Sequence, residues 1–261
     1  MTISKEQFRE RFLRALAVNC DTLGVPDALQ PYMTEKIADT FYALTDEMLR
    51  VNAYMNLTAI TDPDEIIVKH YADCALIAPY IPQNASMCDV GTGGGFPSLP
   101  IAILRPDVRI TAVDSTQKKL DYVASAARLL GLENLSVCAA RAEELGRSPD
   151  FREAFDIVTA RAVARMNVLC EWCLPLVRKN GLFLAMKGRD GMNEYEEAKN
   201  AIDTLGGIAV LTTPYILRDP SSPAAENDGD AMSRVLLSVK KRQFTPKQYP
   251  RANAQIAKKP L

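Results

Sequence analysis

The sequence MCDVGTGGGFPSLPIAIL, residues 87–104, contains a strand, a glycine-rich loop and a helix in that order. We expect the strand to end at Val90 and the helix to begin near Pro97 or Ser98. Glycines at positions 91, 93 and 95 let the backbone turn sharply and approach a ligand without an intervening side chain. A glycine loop alone is a weak signal, but its place between a strand and a helix indicates a site for a nucleotide-like ligand.

Short apolar runs alternate with helical patterns on both sides of this stretch. Seven runs are predicted as strands: Ser86–Val90, Arg109–Val113, Leu135–Ala139, Phe155–Ala160, Leu182–Lys187, Ile208–Thr212 and Arg234–Val239. Alternating strands and helices indicate an α/β fold whose parallel sheet is covered on both faces. We therefore predict a Rossmann-like, seven-stranded, mostly parallel sheet.

The regions outside the sheet have a different character. Residues 1–82 show apolar residues at helical spacing and predict a helical extension packed on the core. Residues 83–240 form the ligand-binding core, and residues 241–261 form a tail whose prolines favour an extended path. The polar, acidic segment 218–232 predicts a loop before the last strand.

The glycine loop fits S-adenosylmethionine better than two phosphate-containing nucleotides. The dinucleotide fingerprint requires a third small residue where this chain has Phe96, and the phosphate loop requires a Lys that is missing. S-adenosylmethionine has no phosphate and needs a close backbone and a tolerant environment for its cationic sulfonium and amine. Asp89, two residues before Gly91, supplies negative charge nearby.

Two later strand ends add candidate cofactor contacts. Asp114 follows the second strand, where a carboxylate can accept hydrogen bonds from both ribose hydroxyls, although it is also suited to cap the helix after it. Ala142 and Glu143 follow the third strand, where adenine lies in such sheets, although acids there also suit the first turn of a helix.

The end of the fourth strand offers Arg161 and no evident nucleophile or base. The [ND]-P-P-[YF] motif of enzymes that methylate exocyclic amines is missing here. Arg161 is suited to bind a phosphate, a carbonyl edge or the cofactor carboxylate, and we assign it a positioning role, with a surface ion pair as the alternative. His70, on a helix of the extension, is interpreted as a packed structural residue.

The charge is distributed unevenly along the chain. From Lys240 to Leu261 there are seven Lys or Arg and no acid, whereas the remainder has 24 bases and 32 acids. A basic tail either contacts a polyanion or is simply solvated. The predicted RNA-binding residues are two bases at the end of the fifth strand and five of the seven bases from Lys240 onward, namely Lys187, Arg189, Lys240, Lys241, Arg242, Lys247 and Arg251. We expect the tail to lie along an RNA-facing rim near the cofactor, and cofactor binding to be nearly independent of the residues after Phe244.

Other features exclude several classes of protein. Cys170 and Cys173 form the sole C-x-x-C pair, and with one His in the chain no metal site is expected, so we interpret the six cysteines as reduced thiols. The charged first residues lack the apolar segment of a signal peptide, and no apolar run is long enough for a membrane span. We expect a cytoplasmic monomer.

Several of these motifs occur together in one known family. NLTAITDPDEIIVKHYADC, DVGTGGGFPSLPIAI, VDSTQKKLDYV, RAEE, TARAVA, AMKG and TPKQYPRANAQIAKKPL follow one another along the chain. Over residues 52–261 the sequence resembles the RsmG (GidB) family of bacterial small-subunit rRNA guanine-N7 methyltransferases. The resemblance implies a class I methyltransferase core and methylation of guanine N7 at position 527 of 16S rRNA in the 30S subunit. It also implies cofactor contacts at Gly91, Phe96, Ala142, Glu143 and Arg161, and an acidic residue at Asp114.

The chemistry of this implied substrate agrees with the residues present. Guanine N7 carries an in-plane lone pair and no proton, so its methylation needs positioning and no general base. The alternatives are a class I methyltransferase with a small-molecule or protein acceptor, and a non-enzymatic nucleotide-binding or RNA-chaperone module. Methyl transfer to 30S subunits, with small acceptors as controls, distinguishes an rRNA methyltransferase from the first alternative. Loss of function when the cofactor site alone is mutated would exclude the non-enzymatic module.

Overall fold

A single seven-stranded sheet organises the computed structural model, which describes residue 1, residues 3–221 and residues 232–261. The strands are β1 (Ser86–Val90), β2 (Arg109–Asp114), β3 (Leu135–Ala139), β4 (Phe155–Arg161), β5 (Val177–Gly188), β6 (Gly207–Ile216) and β7 (Ser233–Lys241). Their order is β3-β2-β1-β4-β5-β7-β6, and β7 is antiparallel to both β5 and β6. The predicted α/β fold with a mostly parallel seven-stranded sheet is confirmed.

Helices cover both faces of this sheet. The helices are α1 (Lys5–Asn19), α2 (Glu35–Met55), α3 (Pro63–Ile66), α4 (Asp73–Ala75), α5 (Ser98–Leu104), α6 (Gln117–Leu129), α7 (Ala142–Leu145), α8 (Met166–Cys173), α9 (Gly191–Thr204) and α10 (Asn253–Lys258). Because successive side chains of a strand point to opposite faces, Met87 and Cys88 of β1 belong to different apolar clusters. One cluster packs under α5 and α6, and the other packs under α8 and α9.

Among residues 1–82, those that the structure describes are mainly helical. Helix α1 begins with a capping box in which Ser4 and Gln7 satisfy each other's backbone N–H groups. Helices α1 and α2 pack through Phe12 and Phe41, whose ring centroids are 4.8 Å apart. A π-helical segment (Ile67–Ala72) joins α3 to α4, so residues 63–75 are continuously helical. The buried apolar residues of these helices belong to the same cluster as residues of β1 and β2, so the extension shares its core with the sheet.

Some predicted boundaries differ from the structure. Strand β5 begins at Val177, five residues before the prediction, because Val177 pairs with Phe155 of β4 ahead of an irregularity in the ladder. Regular pairing starts at Leu182, and Arg178, Lys179 and Asn180 between them are exposed. Of the predicted loop 218–232, residues 222–231 lie outside the described residues. Leu217, just before the loop, donates a backbone hydrogen bond of 3.0 Å to the carbonyl oxygen of Met232 at its other end.

The tail is fastened to the body of the protein. Arg152 donates hydrogen bonds to the carbonyl oxygens of Thr245 and Tyr249, at 2.7 and 2.8 Å. The Arg251 guanidinium forms two-pronged hydrogen bonds with the carboxylate of Glu171, which is fully buried. Residues 242–252 contain no helix or strand, in agreement with the expected path, but α10 then forms between Pro250 and Pro260.

Candidate cofactor site

A cavity lies where the strand order reverses. In open parallel sheets, ligands bind beyond the carboxyl ends of the strands at this switch point, here between β1 and β4. The cavity has a volume of about 480 Å³, within the roughly 300–1,000 Å³ range of small-molecule sites. Its walls are formed by Leu57, Val90, Gly91, Thr92, Gly93, Gly94, Phe96, Val113, Asp114, Ser115, Lys119, Ala140, Arg141, Ala142, Glu143, Arg161, Ala162, Val163, Trp172 and Asn253.

The predicted glycines have different structural roles. All three have positive φ, which favours glycine. At Gly93, an added Cβ would meet nothing nearer than Gly91 O at 3.9 Å, so the backbone is open to the cavity. At Gly95, a Cβ would lie 2.5 Å from Leu99 Cδ1, and Gly95 does not line the cavity. Gly93 therefore admits a ligand, whereas Gly95 permits the packing of α5.

Asp114 joins the second strand to the glycine loop. Its Oδ2 accepts a hydrogen bond from Gly93 N at 3.0 Å, and its Oδ1 accepts one from Thr116 N at 2.8 Å. The first residue of α6 is preceded by Thr116 as the cap, so Asp114 is not itself the helix cap. Because a carboxylate has about four lone-pair positions, two remain for a ligand in the cavity.

Asp89 lies beneath the cavity and does not line it. Its fully buried carboxylate accepts hydrogen bonds from Ser98 Oγ at 2.6 Å and Thr159 Oγ1 at 2.9 Å. Burial raises the pKa of Asp89, and the hydrogen bonds from its neighbours oppose that rise. The predicted direct contact of Asp89 with the cofactor is therefore corrected: Asp89 ties β1 to β4 and α5 below the glycine loop.

The residues after β3 form the far end of the cavity. Ala142 and Glu143 are buried in the first turn of α7 and line the cavity. Trp172 of α8 and Asn253 of α10 line it as well, and α8 packs against both α7 and α10. The tail thus reaches the predicted adenine end of the site.

Arg161, at the end of β4, is largely buried and is surrounded by acceptors. Its side chain is 15 % exposed, and its Nη2 donates to His70 Nδ1 at 2.8 Å. Its Nη1 lies 3.0 Å from Cys74 Sγ and 3.5 Å from Asp73 Oδ2. The guanidinium also lies 5.7 Å from the centre of the Phe96 ring. The alternative of a surface ion pair is excluded, because Arg161 is an internal residue of the cavity wall.

Three predicted RNA-binding side chains are already engaged within the protein. Lys187 Nζ lies 2.6 Å from Glu194 Oε2 and the residue is only 7 % exposed, while Lys241 is fully buried against Leu174 O and Glu153. Arg251 is held by Glu171. Because these cations already have internal partners, we correct the prediction that Lys187, Lys241 and Arg251 contact RNA.

The beginning of the tail lies at the edge of the sheet opposite the cavity. Lys240 pairs with Leu182, which pairs in turn with Ile157 near the amino end of β4, whereas the cavity lies at the carboxyl ends of β1 and β4. Lys240, Arg242 and Lys247 are at least partly exposed. The sequence analysis expected the tail to lie on a rim near the cofactor, but Lys240 and Arg242 lie away from the cavity. Arg189, exposed after β5, keeps its predicted role as a proposal.

Sequence reasoning missed several residues of the cavity wall. Leu57, Trp172 and Asn253 come from a loop of the extension, from α8 and from the tail. Single-sequence patterns carry no signal for such convergence of distant segments. Arg141 and Lys119 could have been predicted, since each follows closely on the end of a strand that was identified.

The described residues contain neither a cluster of metal ligands nor a helix that could span a membrane. In residues 1, 3–221 and 232–261, no group of three or more His, Cys, Asp or Glu is arranged to hold a metal ion. No helix in that part of the chain has both the length and the apolar character needed to cross a membrane. Cys170 and Cys173 are fully buried on α8, and burial raises the pKa of both thiols.

Comparison with solved structures defines the class of fold. The chain is similar to a SAM-dependent O-methyltransferase from Thermotoga maritima, with a TM-score of 0.54 and 16% identity over 78% of this chain and 72% of that one. It is also similar to the [4+2]-cyclase SpnF, with a TM-score of 0.54 and 17% identity over 77% of this chain and 94% of that one. The fold is that of the Rossmann-like methyltransferases.

Sequence comparison then gives the family. Residues 37–218 match the family described as GidB, rRNA small subunit methyltransferase G. The chain is 46% identical to the ribosomal RNA small subunit methyltransferase G of Lactobacillus delbrueckii subsp. bulgaricus, over 82% of this chain and 87% of that one. It is 43% identical to the protein of the same name from Oceanobacillus iheyensis, over 88% and 93%. The chain belongs to the rRNA small subunit methyltransferase G family, as the motifs predicted.

Proposed function

We propose that this protein transfers a methyl group from S-adenosylmethionine to N7 of a guanine in 16S rRNA of the small ribosomal subunit, at the position 527 that the resemblance implies. The observation that carries the proposal is the cavity at the switch point, where the open backbone of Gly93 and the carboxylate of Asp114 lie together. Membership of the family supports the class of substrate.

The cavity fits the cofactor by size and by donor and acceptor groups. In this proposal Asp114 accepts hydrogen bonds from the ribose, and the backbone around Gly93 approaches the amino-acid part. Ala142 leaves room for the adenine, and Glu143 lies beside it. The proposed cofactor-binding residues are Gly91, Gly93, Phe96, Asp114, Ala142, Glu143 and Arg161, with Asp89 and Gly95 supporting them from below.

Bound S-adenosylmethionine would supply an electrophilic methyl group, and the protein would supply orientation. Guanine N7 has no proton to lose, so holding it in line with the methyl group is sufficient. Arg161 is suited to this positioning because its buried guanidinium is held beside Phe96. We propose this role for Arg161, with no general base required.

The parts of the chain divide this work. Residues 83–240 form the cofactor-binding core, residues 1–82 contribute Leu57, and the tail 241–261 contributes Asn253. One chain contains all of these groups, which supports an active monomer. A ribosomal substrate supports a cytoplasmic location.

The experiment is methyl transfer from labelled cofactor to purified 30S subunits that lack this modification, with naked 16S rRNA, total protein and small acceptors in parallel. We expect label in the rRNA of the subunit. Label confined to protein or small molecules would replace this proposal with the alternative acceptor, and failure of the wild-type protein to bind cofactor would reject an S-adenosylmethionine-dependent reaction.

A further inference from the structure

His70, the single histidine of the chain, lies between the two walls of the cofactor cavity. It is 6 % exposed and sits in the π-helical segment of the extension. Such widened turns frequently occur at functional sites, because they redirect side chains. Its ring stacks on Phe96 with centroids 4.4 Å apart and an angle of 24° between the planes. His70 therefore contacts the cavity wall through Phe96 without lining the cavity itself.

The hydrogen bonds of His70 define its tautomer. Arg161 Nη2 lies 2.8 Å from His70 Nδ1, and because a guanidinium only donates, Nδ1 accepts this hydrogen bond. A neutral imidazole has one N–H, so the proton is on Nε2, which donates to Thr58 Oγ1 at 3.0 Å. The ring thus connects the end of β4 with the loop that follows α2.

That loop contributes Leu57 to the cavity wall. The Asn52 side chain holds Thr58 at both of its backbone groups, with two hydrogen bonds of 2.9 Å. Leu57, next to Thr58, lines the cavity, and its carbonyl oxygen would lie 3.3 Å from a Cβ added at Gly94. A shift of Thr58 would therefore move Leu57 against the glycine loop.

We propose that His70 is a positioning residue of the cofactor site, whose neutral, Nε2-protonated ring fixes the Arg161 guanidinium and the Leu57–Thr58 loop relative to each other. The proposal rests on the proposed cofactor site and adds to it a residue from the extension. Arg161 is held from the other side by Asp73, which in turn accepts a hydrogen bond from Tyr215 at 2.8 Å. Without the His70 ring, Arg161 Nη2 would lose its acceptor at 2.8 Å and keep the Lys69 carbonyl oxygen at 3.2 Å, so the guanidinium would no longer be tied to the loop that contains Thr58.

Burial, together with the surrounding positive charges, keeps the His70 ring neutral. Arg161 of β4, Arg234 of β7 and Lys69 of its own helix are the cations that face it. Burial, with Arg161 next, lowers the pKa of His70 to about 3. The ring should therefore remain neutral near neutral pH, and its two hydrogen bonds select the tautomer protonated at Nε2.

The test uses nitrogen NMR and cofactor titration on the full chain. With one histidine, the long-range ¹⁵N–¹H spectrum reports His70 alone, and we expect a protonated Nε2, an unprotonated Nδ1 and no titration between about pH 5.5 and 8. A ring protonated at Nδ1, or one that titrates near neutrality, would overturn the proposal.

The matched variants are His70→Phe and Tyr71→Phe. The first keeps a ring against Phe96 but removes both hydrogen bonds. The second removes the hydroxyl group that lies 2.8 Å from Thr45 Oγ1 in the adjacent core, away from the cavity. We expect His70→Phe to weaken binding of S-adenosylmethionine about tenfold or more, and Tyr71→Phe to leave it within about twofold.

A third variant, His70→Asn, tests the link to Arg161. Its Oδ1 takes the place of the acceptor Nδ1, so we expect an affinity between those of the wild type and His70→Phe. If His70→Phe binds as the wild type does, or if His70→Asn is no better than His70→Phe, the proposal is wrong. If the wild-type protein itself does not bind the cofactor, the proposed function fails instead.

Discussion

Asp114 shows how one side chain serves both structure and ligand. It accepts hydrogen bonds from the N–H groups of Gly93 and Thr116, and so holds the glycine loop to the end of β2. The sequence could place this carboxylate beyond a strand but could not show its link to the loop, since that depends on the fold of residues 91–93. The two roles are compatible, because both depend on the same orientation of the carboxylate.

We predict that Asp114→Ala weakens cofactor binding roughly 10- to 150-fold, the effect of losing hydrogen bonds to a charged group worth about 1.5–3 kcal/mol. Isothermal titration calorimetry measures this effect. Asp121→Ala is the matched control, because Asp121 is exposed on α6 and accepts only from Gln117 Nε2 among the contacts described. Equal affinities for the wild type and Asp114→Ala would reduce Asp114 to a structural role.

We also predict a nearly flat pH dependence of the single-turnover rate between about pH 6.5 and 9. Methylation of N7 requires no deprotonation, and the one histidine has a pKa lowered to about 3 by burial. The wild-type rate should therefore vary by less than about threefold under saturating cofactor and subunit. A tenfold rise governed by a single ionisation would point to a general base.

At the scale of elements, the C-terminal helix α10 changes the interpretation of the tail. Asn253, its first residue, lines the cavity, and Ile256 is fully buried. The chain reaches this place because Arg152 and Glu171 fasten residues 245–251 along the way. Because Asn253 lines the cavity, we no longer expect cofactor binding to be independent of the residues after Phe244.

We predict that Asn253→Ala lowers the affinity for S-adenosylmethionine about three- to tenfold, as expected for one polar contact worth roughly 0.5–1.5 kcal/mol. Gln255→Ala is the control, because Gln255 is exposed on the same helix and does not line the cavity. Fluorescence of Trp172, the single tryptophan and a neighbour in the cavity wall, provides the titration signal. Indistinguishable titrations for both variants would remove α10 from the site.

The elements also show what the sequence contains and what it lacks. All seven strands were predictable from their apolar runs, which are buried in a central strand such as β1 but only partly buried in β3 and β6. The beginning of β5 was missed because Arg178, Lys179 and Asn180 are polar and exposed, and because the pairing with β4 is irregular before Leu182. Lys187 and Lys241 were misassigned because a buried lysine has no distinguishing pattern, and their partners Glu194 and Glu153 belong to other elements.

At the scale of the whole molecule, the exposed bases of the tail lie at two ends of the sheet. Lys240 and Arg242 lie at the edge opposite the cavity, whereas Lys258 and Lys259 are exposed at the end of α10, a helix about 9 Å long that begins at the cavity. An RNA that places a guanine in the cavity should therefore contact Lys258 and Lys259 in preference to Lys240 and Arg242.

We predict that neutralising Lys258 and Lys259 together lowers the slope of log affinity against log salt by up to about 1.4–1.8, since each phosphate contact contributes about 0.7–0.9. The paired change of Lys240 and Arg242 removes the same charge at the remote edge and should lower the slope less. Filter binding of 30S subunits at several salt concentrations gives both slopes. A larger effect from the remote pair would place the RNA on the other side of the molecule.

The most direct test of the central claim is the chemical identity of the methylated product. The wild-type protein is incubated with methyl-labelled cofactor and unmodified 30S subunits, and the 16S rRNA is digested to nucleosides and analysed by mass spectrometry. We predict one labelled nucleoside, 7-methylguanosine, from a single site in the rRNA, and a strong loss of this signal in Asp114→Ala. Label in another nucleoside, in ribosomal protein, or at the same level in Asp114→Ala would contradict methylation of guanine N7 by a cofactor held in this cavity.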